Sequence, residues 1–127
     1  MDIEVIDGAF SVCKIDDAGQ VDVRRPFTFL SLTDQEASLV CPTGLVPGGV
    51  LAREDGWSLL RIAGPLDFSL IGILARIATI LAEAGISIFA ISTFDTDYLM
   101  VKRDKLQAAE TALRAHEYAL RNHKEEG

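Results

Sequence analysis

The sequence is poor in residues that do chemistry unaided. Its 127 residues include two cysteines, two histidines and one tryptophan. Cys13 and Cys41 each lie inside an apolar segment without CxxC spacing, so they read as reduced core thiols rather than a disulfide or redox pair. No nucleophile elbow, phosphate loop or paired-histidine metal motif occurs, and His116 and His123 lack ligand spacing along a helix face. No metal and no cofactor are expected. Arg76 and Glu83 break the longest apolar run before it reaches the ~18 residues that would span a bilayer. The opening MDIEVIDG is acidic where a secretory leader is basic and then apolar, which leads us to expect a cytoplasmic protein with no membrane partner. Positive charge is scarce as well: 12 basic residues face 19 acidic ones, for a net charge of −7. With no basic patch, nucleic acid is not an expected partner.

What the chain does have is apolar content, 49% against 24% charged, enough for one compact domain or two very small ones. That content is concentrated in GPLDFSLIGILARIATILAEAGISIFAISTFDTDYLMV, from Gly64 to Val101. Asp67 or Ser69 can cap a helix beginning near Leu70. Gly85 suits a left-handed terminal position, and Ile86 supplies the hydrophobic residue that accompanies such an ending. Gly72, Arg76, Thr79 and Glu83 form a narrow polar stripe on this helix. Its remaining circumference is apolar, so the helix asks for a second layer beyond a sheet beneath it. After Gly85 the pattern alternates, reads as a strand through Ile91, breaks at STFDTD and resumes from Asp97 to Lys102 as the second strand of a hairpin.

Elsewhere, residues 1–8 read as an extended lead-in arm and Ala9–Ile15 as a strand, followed by the turn cluster DDAGQ. Phe27–Thr33 is a strand, Asp34–Ala37 one helical turn, and Ser38–Cys41 a strand ended by Pro42. The glycine- and proline-dense segment Thr43–Gly56 reads as a linker. The second half opens with the strand WSLLRI at Trp57. After Val101, Asp104 with Gln107 starts an amphipathic helix with Leu106, Ala109, Leu113 and His116 on one face. A short strand at Tyr118–Leu120 and a frayed end from Arg121 follow. The second half therefore runs strand, helix, strand, strand, helix, strand, the α+β order of a ferredoxin-like βαββαβ unit. The first half offers strands without a long helix, either a degenerate copy of that unit or a set of added strands.

Two places carry candidate chemistry. The loop Gly64–Ser69 leads into a helix start whose free amides attract a carboxylate or phosphate, although Asp67 can satisfy them and the plain reading is a capped helix. In STFDTDYLMV, Asp95 and Asp97 have the spacing of an acid/base pair or half a metal site, but nothing nearby completes either. The plain reading there is a turn held by Asp and Thr side chains. Ser92, Thr93, Cys13 and Cys41 have no evident base partner, and an enzyme is not expected.

On these residues, the strand at Trp57, the Gly64–Val101 stretch and the following helix resemble the ACT domain, the small-molecule-binding regulatory module of aspartate kinases and other amino-acid-controlled enzymes. The pairing of LDFSLIGILA with AISTFDTDYLMV is similar to stand-alone bacterial ACT proteins and to the ACT repeats of animal cytosolic arginine sensors. The resemblance is specific from about Trp57 to Tyr118. Before that it rests on FSVCKI, FTFLSLT and SLVCP, which resemble a reduced first ACT-like half. It implies a degenerate ACT-like, strand-rich half over residues 1–56 and an ACT domain over 57–127. It also implies side-by-side association with another ACT unit, so a homo-oligomer such as a homodimer is expected. Ligand binding is implied at Pro65, Leu66, Asp67, Phe68, Ser69, Gly72 and Ile73, facing Ser92, Thr93, Phe94, Thr96 and Asp97. The expected function is non-catalytic binding of a small molecule, an amino acid above all, with the signal passed to a protein partner. The alternative is a structural, oligomerising module with no ligand.

Overall fold

The computed structural model of the chain describes residues 2–62 and 72–123. Strands β1 (Asp2–Ile15), β2 (Phe29–Leu32), β3 (Ala37–Pro42) and β4 (Ala52–Ile62) come first. Helix α1 (Ile73–Glu83), the hairpin of β5 (Phe89–Ser92) and β6 (Asp97–Lys102), helix α2 (Leu106–Ala115) and β7 (Ala119–His123) follow. The chain divides into two compact units, one formed by residues 8–57 and the other by the residues before and after them. Strands β1 and β4 each run through both. The crossings are marked by Asp7-Gly8 and Asp55-Gly56, with Gly8 at φ +96° and Gly56 at φ +83°, a region that glycine enters without steric cost.

In the discontinuous unit the order β4, α1, β5, β6, α2, β7 is the expected ferredoxin-like one. Ile77, Ile80 and Leu81 of α1 and Ala109 and Leu113 of α2 meet Leu60, Ile62, Leu99 and Val101 of the strands in one core. Each of the leucine, isoleucine and valine side chains among them contributes about 1.5–3 kcal/mol on burial. Residues 2–6 are not a lead-in arm. They pair in parallel with β7, from Asp2 opposite Ala119 to Ile6 opposite His123, and Ile3 and Val5 enter the same core. Alternating apolar and charged residues carry the signal for this strand, but its partner lies more than a hundred residues away in sequence.

Both helices end in the same way. The Gly85 and Ile86 amides bond to the carbonyls of Ala82 and Leu81, and the Glu117 and Tyr118 amides to those of Arg114 and Leu113. These are Schellman endings, with Ile86 and Tyr118 buried as their hydrophobic contacts. The expected helix start at Leu70 and its caps Asp67 and Ser69 lie outside the described residues. The described helix begins behind Gly72, at φ +83°, whose carbonyl accepts the Arg76 amide at 2.9 Å. Its exposed face carries Ala75, Arg76, Thr79, Ala82 and Glu83.

In the unit of residues 8–57, β3 pairs antiparallel with both β1 and β2. The expected helical turn at Asp34–Ala37 is instead a hairpin turn. The Thr33 hydroxyl accepts the amides of Gln35 and Glu36, and the Thr33 amide donates to the Glu36 carbonyl at 2.9 Å. A threonine able to satisfy that many local backbone groups favours the turn over a helix. Strand β4 starts at Ala52 rather than Trp57, which shortens the expected linker. Cys13 and Cys41 are both buried beside Ile15 and Leu39. Burial first, and then the neighbouring Cys13, push the Cys41 thiol up to about 11, which keeps it a protonated, unreactive core group.

Candidate functional site

The β5–β6 hairpin gathers most of the residues expected on the strand side of the site. Ser92 and Asp97 close the ladder as its last pair, and the Ser92 hydroxyl donates to Asp97 Oδ1 at 2.6 Å. Across the turn, the Thr93 amide donates to the Thr96 carbonyl at 2.9 Å and the Thr93 hydroxyl to the same oxygen at 3.1 Å. The Thr96 hydroxyl reaches out of the hairpin and donates at 2.5 Å to the carbonyl of Ile62, the last residue of β4. The turn is thus pinned to the end of β4.

Asp97 is half-buried, and among the described residues its carboxylate receives only the Ser92 hydroxyl. The second oxygen is available to a charge-assisted bond from an ammonium group, stronger than a neutral pair. Phe94 is not drawn in. It stands at the hairpin tip, 87% exposed, beside an exposed Asp95. Gly72 is exposed at the start of α1, and Ile73 packs partly against the core. Pro65, Leu66, Asp67, Phe68 and Ser69 lie outside the described residues. Among the described residues, Asp95 and Asp97 gain no third partner for metal or acid/base work, and no group of three or more His, Cys, Asp or Glu side chains is placed to hold a metal ion.

Two features escaped the sequence reading. Glu4, Arg61 and Tyr98 alternate with residues of the helix core and so lie on the opposite face of the sheet. The Arg61 Nε donates to Glu4 Oε1 at 3.1 Å, its guanidinium lies 6.0 Å from the Tyr98 ring centroid, and His123 Nδ1 stands 3.4 Å from Glu4 Oε2. The hydrogen bond from Arg61 is the main cause that holds the Glu4 carboxyl below its ordinary value, against the opposing effect of burial. These residues come from four strands, and no local motif announces them. The second feature is a groove of about 770 Å³ along α1 that takes in Ile73 but no hairpin residue.

The chain is similar to several known proteins. A family model described as ACT domain matches residues 52–115. The mouse cytosolic arginine sensor for mTORC1 subunit 1 is 35% identical over 88 residues, which cover 64% of this chain and 27% of that protein. Its human counterpart is 49% identical over 49 residues, 38% of this chain and 15% of that one. The match therefore spans 27% or less of the length of these curated relatives. Among solved structures, a protein from Agobacterium tumefaciens is similar at a TM-score of 0.85 and 26% identity, over 99% of this chain and 97% of that one. The ligand-free regulatory subunit of aspartate kinase from Thermus thermophilus is similar at a TM-score of 0.64 and 10% identity, over 89% and 95%, a likeness of fold alone. Among the described residues, no helix is long and apolar enough to cross a membrane.

Proposed function

The chain belongs to the ACT domain family, and from that premise we propose that it is a non-catalytic regulatory protein that binds a free amino acid and signals through a protein partner. The observation that carries this reading is the Asp97 carboxylate, held by Ser92 on a hairpin that Thr96 ties to the end of β4. The amino acid's ammonium takes the open oxygen of Asp97, or the carboxylate of Asp67, and its carboxylate takes backbone amides within Pro65–Ser69. By the same reading Leu66, Asp67, Phe68, Gly72, Ile73 and Thr93 complete the site. The same reading takes residues 1–56 as a reduced ACT-like half, 57–127 as the ACT domain, and the working form as a cytoplasmic homodimer.

The test is a thermal-shift screen of the purified chain against the common amino acids. A ligand at ~100 times its dissociation constant adds about 2.7 kcal/mol, several degrees for a chain of this size. Asp97→Asn is expected to weaken the selected amino acid about tenfold or more, as loss of a charge-assisted bond requires. An unchanged affinity in that variant removes Asp97 from the site. The second reading, an assembly module without ligand, is favoured by the 87% exposure of Phe94, an aromatic that a neighbouring subunit would cover. It predicts no shift with any amino acid and a loss of the oligomer in Phe94→Ser.

A further inference from the structure

We propose that the groove between α1 and the turn joining α2 to β7 is a separate small-molecule site that takes a basic amino acid, or a ligand with the same arrangement of two cations and one anion. It does not depend on the loop and hairpin of the preceding reading. The groove has a volume of about 770 Å³, within the range of small-molecule sites. Ile80 and Tyr118 supply apolar lining, while Arg76, Thr79, Glu83 and Glu117 supply the polar groups. Among the described residues, none of these three charged side chains forms an ion pair.

The backbone singles out Glu117. Helices α1 and α2 end in the same hydrogen-bonded turn, and the residue that must turn left-handed is Gly85 in the first, at φ +76°, and Glu117 in the second, at φ +69°. Glycine occupies such a position without strain, whereas a glutamate is strained there, and strain of this kind gathers at functional sites. A glutamate at the position of a helix-ending glycine, with its side chain lining a groove, has a reason to be there if the carboxylate is used.

The charges then specify the ligand. Arg76 and Glu83 stand two turns apart on one face of α1, about 10 Å along the axis. A basic amino acid with its carboxylate on Arg76 extends its two cationic groups toward Glu83 and Glu117, which cancels every charge in the groove. Ile80 and the Tyr118 ring receive the methylene stem.

The test is titration calorimetry on the full chain with L-lysine, with cadaverine as the same diamine lacking a carboxylate, and with L-glutamate. L-lysine is expected to bind, cadaverine more weakly, and L-glutamate not at all. Glu117→Gly is expected to raise the melting temperature of the free protein while weakening L-lysine by about tenfold or more, and Glu117→Gln to weaken it similarly without the gain in stability. Arg76→Ala is expected to weaken L-lysine but leave cadaverine unchanged. Asp97→Asn, which tests the hairpin site, leaves L-lysine binding in the groove intact, so the two readings fail separately. The proposal is overturned if L-lysine does not bind at about 10 mM, a limit weaker than ordinary small-ligand affinities. It is also overturned if Glu117→Gly and Glu117→Gln leave the affinity unchanged, or if Asp97→Asn abolishes it.

Discussion

The two hairpins of the molecule follow one plan, sixty residues apart. Phe29 pairs with Val40 as Phe89 pairs with Met100, and Leu32 with Ala37 as Ser92 with Asp97. Thr33 and Thr93 open the two turns, each donating its amide at 2.9 Å to the carbonyl three residues on. Leu39 and Leu99 are both buried, and a 3-10 turn follows each hairpin, at Thr43–Leu45 and Arg103–Lys105. The surroundings differ. Between the preceding strand and the hairpin, 13 residues and a single 3-10 turn serve the unit of residues 8–57, where the other unit has 26 residues and α1. After the second 3-10 turn only the larger unit continues into a helix, α2. One hairpin plan thus supports two kinds of core: Leu99 lies in the core that both helices help to build, whereas Leu39 sits among Cys13, Ile15 and Cys41 with no helix.

The sharpest way to break that comparison is a matched pair of substitutions. Leu99→Ala is expected to cost about 3–4 kcal/mol and Leu39→Ala about 2–3 kcal/mol, because the cavity left in the helix-free unit collapses more easily. Urea unfolding of both variants checks this, and equal costs mean that the helices add nothing to the packing of the hairpin. A smaller effect separates the helix endings. Gly85→Ala places a Cβ at φ +76° and is expected to cost about 1 kcal/mol, read as a lower urea midpoint at unchanged slope.

The smallest concerns the polar groups that the two units bury. In the unit of residues 8–57, the buried Ser11 hydroxyl donates to Asp55 at 2.5 Å, stands 2.9 Å from the Thr43 hydroxyl, and shares Asp55 Oδ1 with Arg53. In the other unit, Glu4 and Arg61 play this part, with side chains 15% and 23% exposed. Because the Glu4 carboxyl lies below its unfolded value of 4.5 when folded, its contribution is complete above that pH and is lost as pH falls through the folded value. Arg61→Ala is therefore expected to lose no more than about 1 kcal/mol near neutrality, the deficit shrinking as pH falls below the unfolded value. A deficit that is constant with pH assigns the Arg61 contribution to packing on Tyr98 instead.

The ferredoxin-like order was legible because its signals are local: helical spacing in ILARIATILAE, the Gly85-Ile86 ending, and the change to strand alternation before STFDTD. The hairpin turn was legible for the same reason, since Thr93, Thr96 and Asp97 bond to groups within five residues, Thr96 also reaching Ile62. The pairing of residues 2–6 with β7 was not, and neither was the Glu4–Arg61–Tyr98–His123 group. Each depends on strands far apart in sequence, for which alternation gives a face but never a partner. The left-handed Glu117 was hidden too, because no propensity argument places a glutamate where glycine belongs.

By itself, then, the sequence determined the two helices, the β5–β6 hairpin and the turn chemistry of that hairpin, since these follow from residue spacing along one segment. The tertiary structure alone decided which strands pair, how β1 and β4 are divided between two units at Gly8 and Gly56, and which charges come to line one groove. Those outcomes depend on closing long loops against entropy, and the gain that offsets that cost is set by the assembled core rather than by any single stretch of chain.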